Sequence, residues 1–227
     1  MSVAVLSKNP PPASCNIWNV GNVTETKTVS NSLILASASV SRAALLFGAG
    51  VTFTQDPADV DEAALKASMT NEGRSGAGIA SALAVAKAKT VSERQPGRLV
   101  IGADQMLECE SVWFDKPEDM AQARQALRSL CGKTHTLRAA VCVVRDGAVL
   151  WSHVEAAHMT MRPFSDDFLD TYLSTVGSRV LQSVGAYQLE GPGAQLFENI
   201  DGDYFTILGL PLLPLLQFLR TEGSLMS

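Results

Sequence analysis

The chain alternates between short unbroken apolar runs and longer runs in which apolar residues recur at helical spacing, a pattern typical of α/β proteins. The pattern is clearest in Leu33–Leu46, LILASASVSRAALL, where an apolar run stops at a cluster of hydroxyls and one arginine and then resumes at helical spacing. We interpret this stretch as a strand, a loop and a helix. The helix is predicted from about Ser41 to Phe47, ending at the glycines that follow.

Further elements follow from the same two patterns. A short strand is predicted at Val51–Thr54, a helix at Gly78–Val91, and a buried strand that begins at Leu99 and ends at Asp104. The remaining predicted elements are a helix with Pro117 in its first turn and Gly132 after its end, strands at Leu137–Val144 and Ala148–Met161 joined by a tight turn at Asp146-Gly147, a helix capped by Ser165, a hairpin at Asp201-Gly202 and a closing helix at Leu212–Arg220.

The composition excludes several classes of protein. At 227 residues, with 46% hydrophobic and 18% charged residues, the chain suits one large α/β domain or two small lobes. A net charge of −5 and the lack of clustered lysines and arginines argue against nucleic acid as a partner. The four cysteines form no CxxC pair and no zinc-type spacing, so free thiols in a reducing cytoplasm fit better than a disulfide framework.

The two ends of the chain differ in character. Residues 1–32 contain three consecutive prolines and many polar residues, which predicts a flexible N-terminal arm and not an ordinary signal peptide. Near the other end, Ile207–Leu219 is apolar, but Pro211 and Pro214 interrupt it, which favours a core segment over a membrane span. We therefore expect a cytoplasmic protein with no membrane partner.

The first candidate site is the loop before the first predicted helix. Ser37, Ser39 and Ser41 bracket this turn, and Arg42 follows them. Backbone N–H groups at a helix N-terminus, hydroxyls and a guanidinium together bind phosphate. The alternative is a serine-capped junction with no ligand, and this stretch alone leaves both interpretations open.

Two acids are candidates for catalysis and metal binding. Asp104 is the leading catalytic candidate, because a buried strand that ends in an acid delivers a carboxylate to the sheet edge where ligands bind. Gln105 beside it adds a second polar group, and the alternative is a carboxylate that caps the next segment. Glu62 has two interpretations. It is either an ordinary acid in the first turn of a helix, where the helix dipole favours negative charge, or, near a phosphate site, an oxygen ligand for a divalent cation.

Three further charged residues have both a structural and a functional interpretation. Lys87 and Lys89 flank the apolar face of the helix predicted at Gly78–Val91, so periodicity does not show which of them, if either, points into a site. Lys116 precedes a helix, where a lysine opposes the macrodipole unless an anion lies nearby. Glu190 lies in a glycine-rich loop, where it is either solvated or accepts hydrogen bonds from a nucleobase.

Eight short motifs, in order along the chain, resemble those of Maf-type nucleotide pyrophosphatases. They are LILASASVSRAALL, VDE at 60–62, AKAK at 86–89, IGADQ, DKP, LCGKTH at 130–135, VGAYQLEG and LGLPL. No single motif is specific, but eight in register over Leu33–Arg220 are.

The resemblance implies an α/β fold with a mixed, elongated twisted sheet flanked by helices, similar to the inosine triphosphate pyrophosphatases. It implies one domain at residues 33–222 with a central cleft, followed by a tail at 223–227. Members are usually homodimers that hydrolyse nucleoside triphosphates to the monophosphate and pyrophosphate with Mg²⁺ or Mn²⁺. The alternative function is a non-catalytic nucleotide-binding regulator of septum formation in cell division.

The roles implied by the resemblance can be carried over residue by residue. They are phosphate or substrate binding by Ser37, Ser39, Arg42, Lys87 and Lys116, metal binding by Glu62 and Asp104, activation of water by Asp104, and base specificity from Ser41, Gln105 and Glu190. These roles suit the reaction, because cations stabilise charge on the attacked phosphorus while a carboxylate orients the nucleophile.

Three features bear on the identity of the substrate base: one departure from the family motif and two positions that match one branch of the family. Members have a proline and two adjacent arginines, or a tryptophan with two arginines, where this chain has Val40-Ser41-Arg42-Ala43. One cation that would face the phosphate or the base is therefore missing, and Ser41 replaces the tryptophan that would stack on the base. Gln105 and Glu190 resemble the branch that acts on 7-methyl-GTP, whereas the dTTP and UTP branch has threonine and glutamine there. A carboxylate can accept two hydrogen bonds from guanine, whereas uracil offers one N–H between two carbonyls. We expect 7-methyl-GTP first and dTTP or UTP second.

Overall fold

The computed structural model describes residues 33–226. The arm predicted at residues 1–32 lies outside the described residues. The elements are β1 Leu33–Leu35, α1 Val40–Gly48, β2 Phe53–Gln55, α2 Glu62–Asn71, α3 Gly76–Arg94, β3 Val100–Cys109, β4 Val112–Phe114, α4 Met120–Leu130, β5 Thr134–Arg145, β6 Ala148–Met161, α5 Asp166–Val176, β7 Phe197–Asp201, α6 Tyr204–Ile207 and α7 Leu212–Thr221. Short 3₁₀ turns at Gly177–Gln182, Val184–Ala186 and Pro192–Leu196 connect α5 to β7.

The strands form one seven-stranded sheet in the order β2-β1-β3-β5-β6-β7, with β4 paired to β3. β1 lies parallel to β2 and β3, and the other pairs are antiparallel. The predicted mixed α/β fold is therefore confirmed.

The strand pairing along one edge of β3 is interrupted. Its pairing with β1 ends at Ile101, and its pairing with β4 begins only at Leu107. The opposite edge of β3 pairs with β5 throughout, from Val100 to Glu108. Between β1 and β4, the open edge of β3 thus lacks a strand neighbour within the described part of the chain.

Helices cover both faces of this part of the sheet. Alternate residues of β1, β3 and β5 pack under α3 on one face and under α1 and α7 on the other. A further apolar cluster lies between the far half of the sheet and helices α4 and α5. Among the helices within residues 33–226, none combines the length and the apolar character needed to cross a membrane.

A glycine sets the distance between α3 and β3. A Cβ on Gly102 would lie 2.1 Å from the carbonyl oxygen of Ala84, so a larger residue would force the helix away from the strand. Because α3 packs this closely, Lys87, one turn after Ala84, reaches Asp104, two residues after Gly102.

Several predicted local signals are confirmed. The strand, loop and helix at residues 33–48 are present, and the hairpin between β5 and β6 turns at Asp146-Gly147, where both residues have positive φ. Ser165 caps α5 by accepting a hydrogen bond from the Phe168 amide.

Three local predictions are wrong: the end of one strand, the start of one helix and one hairpin. β3 does not end at Asp104 but continues to Cys109, because its later half pairs with β4 and β5. Pro117 lies outside the first turn of α4, whose cap is Asp119, so Lys116 is not at a helix N-terminus. Asp201-Gly202 is not a hairpin, because Asp203 caps α6 directly after it.

Candidate active site

A cleft of about 980 Å³ opens beside the interrupted edge of β3. Its walls come from the loop between β1 and α1, from α2, α3 and β3, from the segment after β4, and from residues 181–190 and 207–209. All the candidate site residues selected from the sequence line this cleft, namely Ser37, Ser39, Ser41, Arg42, Glu62, Lys87, Asp104, Gln105, Lys116 and Glu190.

Arg42 is buried in the wall of the cleft and is held by oxygen atoms from three parts of the chain. Its Nη1 donates to Ser37 Oγ at 3.1 Å and to the Ala103 carbonyl at 2.9 Å, while Nε donates to the Gly209 carbonyl at 2.8 Å. Burial lowers the pKa of Arg42 from its ordinary value, and the negative charge of Asp104 acts in the opposite direction. The guanidinium therefore orders the cleft wall whatever else it binds.

The serine loop is built largely by its own hydrogen bonds. Ser39 caps α1 by accepting from the Arg42 amide at 3.3 Å, and Ser37 Oγ accepts from the Ser39 amide at 3.2 Å. The capped junction considered for this stretch is therefore present. Since the same residues line the cleft, phosphate binding there stays a prediction.

Lys87 joins the two acids that the sequence selected. Its Nζ lies 2.6 Å from Asp104 Oδ1 and 2.9 Å from Glu62 Oε2, and the side chains of Lys87 and Asp104 are each only 9% exposed. Lys89 is exposed, so the choice between the two lysines that periodicity left open falls on Lys87. Asp104 sits within β3 beside the strand gap and needs no strand end to reach the cleft.

Gln105 points to the opposite face of β3 from Asp104, as strand geometry requires. Its Nε2 donates to the carbonyls of Thr206 and Ile207, both at 3.1 Å. Two carbonyl acceptors fix which end of the amide is the NH₂ group, so Oε1 is the atom left to accept a hydrogen bond in the cleft.

Two further lysines carry positive charge into the cleft. Lys116 opens onto it, and desolvation, followed by the positive charge of Arg42, lowers the pKa of Lys116. Lys66 also lines the cleft, is only 16% exposed, and forms an ion pair with Asp115. Sequence reasoning missed Lys66, although its position four residues after Glu62 places it on the same side of α2.

Half of the cleft-lining residues in the wall formed by residues 181–190 are apolar or aromatic, namely Leu181, Val184, Tyr187 and Leu189. Tyr187 is anchored behind this wall by a 2.7 Å hydrogen bond between its hydroxyl and Nε2 of the buried His135. Burial lowers the pKa of His135 to about 4 and raises that of Tyr187. Glu190, in contrast, is exposed at the rim.

The acids of the cleft suit a divalent cation that is shared with a ligand. Within residues 33–226, no group of three His, Cys, Asp or Glu side chains lies together as a ready-made metal cage. Glu62 and Asp104 nevertheless present oxygens to one point, now contacted by Lys87 Nζ. Mg²⁺ is commonly held by one or two carboxylates together with phosphate oxygens and water, so this donor set fits it.

Comparison with known proteins agrees with the resemblance drawn from the motifs. The family model described as Maf-like protein matches residues 32–222. A "nucleoside triphosphate pyrophosphatase" of Paramagnetospirillum magneticum is 58% identical over 192 residues, covering 85% of this chain and 99% of the relative. A "7-methyl-GTP pyrophosphatase" of Brucella abortus is 54% identical, covering 84% and 96%, and one of Rhizobium etli is 53% identical, covering 85% and 97%. The chain therefore belongs to the Maf-like protein family.

Proposed function

We propose that this protein hydrolyses a nucleoside triphosphate to the monophosphate and pyrophosphate with the help of a divalent cation. The observation that carries the proposal is the convergence, in one cleft, of four cationic side chains and a buried carboxylate. The cationic residues are Arg42, Lys66, Lys87 and Lys116, and the carboxylate is Asp104. The names of the relatives support the same reaction.

The cationic side chains have a direct role in such a reaction. A triphosphate carries several negative charges, and more charge moves to the leaving group as the bond to the α-phosphorus breaks. Lys116 has no carboxylate within ion-pair distance among the described residues, so its ammonium is available to a phosphate oxygen. Arg42 holds the Ser37 hydroxyl in the same wall, where a phosphate contacts both.

Asp104 supplies the polar group that acts on water. In the proposed step, a water oxygen attacks the α-phosphorus, the bond to the oxygen bridging the α- and β-phosphates breaks, and pyrophosphate leaves with that oxygen. Asp104 accepts a hydrogen bond from the attacking water and receives its proton. Its burial within β3 and its contact with Lys87 restrict the carboxylate to one position in the metal-free structure.

Glu62 and Asp104 are the residues that would hold the cation, as Mg²⁺ or Mn²⁺. When bound, the cation neutralises phosphate charge and polarises the attacked phosphorus. In the metal-free structure Lys87 lies between the two carboxylates and neutralises part of their charge.

The polar groups near the wall formed by residues 181–190 favour a base that donates hydrogen bonds. Gln105 Oε1 and the Glu190 carboxylate are both acceptors. Guanine offers N1–H and an amino group, and methylation at N7 adds a positive charge that a carboxylate attracts. We infer 7-methyl-GTP as the preferred substrate, and dTTP or UTP is the second candidate assignment. The homodimer implied by the resemblance stays a prediction.

The test is incubation of the pure full-length chain with Mg²⁺ and a panel of nucleoside triphosphates, with products separated by chromatography. We expect monophosphate and pyrophosphate in equal amounts. Release of inorganic phosphate in steps would indicate a phosphatase instead. Tight nucleotide binding with no product from any nucleotide would favour the non-catalytic regulator.

A further inference from the structure

Lys87 takes the position that a cation ligated by Glu62 and Asp104 would take. Its ammonium contacts one oxygen of each carboxylate, at 2.9 and 2.6 Å, and it comes from a buried stem on α3. A surface lysine with one carboxylate partner is commonplace, but a buried ammonium shared by two carboxylates is a specific arrangement. It neutralises half of the charge that the two acids bring together.

The same oxygens cannot serve Lys87 and a metal ion at once. Mg²⁺ binds carboxylate oxygens at about 2.0–2.1 Å and requires near-octahedral space around it. An ammonium within hydrogen-bonding distance of both oxygens occupies part of that space and repels a divalent cation at close range. A cation can therefore bind these two oxygens of Glu62 and Asp104 only when Lys87 withdraws.

Withdrawal of Lys87 is costly unless a new anion receives it. Removing one partner from a buried ion pair leaves an uncompensated charge, which is more unfavourable than the pair itself. Phosphate oxygens in the cleft would supply the missing partner, because the lysine stem is flexible and the ammonium donates in several directions. Metal alone lacks this compensation, whereas metal with a triphosphate provides it.

We propose that Lys87 is a placeholder cation of the metal-free enzyme, which moves from Glu62 and Asp104 to phosphate when a metal–triphosphate complex binds. The species that enters the cleft productively is then the complex and not the free metal. This inference rests on the proposed function for the identity of the anion. Metal and nucleotide bind with positive coupling, which by linkage acts equally in both directions.

The direct test measures Mn²⁺ binding to the full-length chain without nucleotide, by the electron paramagnetic resonance signal of free Mn²⁺. Lys87→Met removes the placeholder, and we expect it to bind Mn²⁺ about tenfold or more tightly than wild type, because a close positive charge has been removed. Lys87→Gln, which keeps a polar end, is the second variant if Lys87→Met is poorly folded.

Lys116→Met is the matched control. It also removes one positive charge from the cleft, but Lys116 lies within ion-pair distance of neither Glu62 nor Asp104. We expect it to raise Mn²⁺ affinity by less than the Lys87 variants do, because its charge lies outside ion-pair distance of both carboxylates. If the Lys87 variants bind Mn²⁺ no more tightly than Lys116→Met, Lys87 holds no cation position and the inference is wrong.

The second measurement repeats the titration with a triphosphate analogue whose α–β bridging oxygen is replaced by methylene. Wild type should gain Mn²⁺ affinity strongly when the analogue is present, and the Lys87 variants should gain much less. Equal gains in wild type and variants would overturn the coupling. Neither measurement needs turnover, so an inactive protein would count against the proposed function without deciding the role of Lys87.

Discussion

Arg42 Nη1 donates a hydrogen bond to the Ala103 carbonyl, which lies in the part of β3 between its pairing with β1 and its pairing with β4. The guanidinium thus takes the place of a ladder hydrogen bond that a neighbouring strand would supply. It also ties this edge to Gly209, where φ is +91° and a Cβ would lie 3.4 Å from Arg42 Nε. A side chain therefore satisfies a backbone carbonyl at the gap in the sheet.

Arg42→Lys is expected to destabilise the protein by about 2–4 kcal/mol, although the charge is kept. One ammonium cannot reproduce the planar fork that reaches the Ala103 and Gly209 carbonyls, so buried acceptors lose their donors. Urea unfolding measures this effect. The control is Arg220→Lys on an exposed residue, for which a change within about 0.5 kcal/mol is expected. Equal stability of the two variants would show that Arg42 has no structural role.

Asp104→Asn is expected to fold normally, because the amide oxygen still accepts from Lys87. It removes the negative charge that acts on water and metal, so kcat/KM should fall by about 10²-fold or more. Steady-state release of pyrophosphate measures this loss. Asp201→Asn, an exposed acid on β7, should retain wild-type activity. Near wild-type turnover by Asp104→Asn would contradict the proposed mechanism.

The ion pair between Lys66 and Asp115 has two possible functions, binding of phosphate by Lys66 or attachment of α2 to the segment after β4, and kinetics of single variants can distinguish them. If Lys66 binds phosphate and Asp115 only restrains it, Lys66→Met should raise KM for the triphosphate, whereas Asp115→Asn should leave it unchanged or lower it. Asp115 is 76% exposed, so loss of the pair itself should cost little stability. Equal increases in KM for both variants would instead indicate that the pair merely fastens α2 to the segment carrying Lys116. Steady-state kinetics with purified variants decides between them.

The lowered pKa of His135 leads to a prediction of how the free energy of unfolding depends on pH. Its folded pKa of about 4 lies below the ordinary value of 6.5, so between these values the unfolded chain binds the proton more readily. Stability should therefore fall as pH decreases from about 6.5 to 4, by about 3 kcal/mol from this residue. Thermal unfolding across this range should show the effect in wild type.

His135→Gln removes the titrating ring while keeping a polar group that can reach Tyr187. Its loss of stability between pH 6.5 and 4 should be smaller than that of wild type by the same amount. His158→Gln, on an exposed residue of β6, should retain the wild-type pH dependence. Identical pH profiles for His135→Gln and wild type would show that His135 is not the group responsible.

Local signals in the sequence were sufficient for much of the fold. The loop before α1, the Asp146-Gly147 turn and the cap at Ser165 depend on residues close together along the chain, so short-range rules predicted them. The motif resemblance added which side chains share a cleft, and the structure brings them together.

What local rules missed depends on distant pairing. β3 continues past Asp104 because β4 and β5 are available to pair with it, and no feature of IGADQ reports this. Arg42 contacts Ala103 and Gly209, which lie 61 and 167 positions further along the chain. The choice of Lys87 over Lys89 depends on the close packing of α3 against Gly102, which helical periodicity cannot resolve.

The base preference is tested by kcat/KM for 7-methyl-GTP, GTP, dTTP and UTP. Wild type should favour the guanine nucleotides, with 7-methyl-GTP first, because its cationic ring adds charge attraction to the two hydrogen bonds that Glu190 can accept. Glu190→Gln keeps the size of the side chain but removes the charge and offers only one acceptor oxygen. The preference for 7-methyl-GTP over UTP should therefore shrink by about tenfold.

Gln105 and Ser41 set the limits of this preference. Gln105 Oε1 can accept from any base that donates at that point, so it should contribute to ranking but not by itself distinguish GTP from 7-methyl-GTP. Ser41 provides no aromatic surface, and a stacked aromatic there would contribute about 1–3 kcal/mol to binding of any base. Ser41→Trp should therefore lower KM for all four nucleotides, while Glu190→Gln should change their order. A wild-type preference for dTTP or UTP, or an order unchanged by Glu190→Gln, would show that the carboxylate does not read guanine.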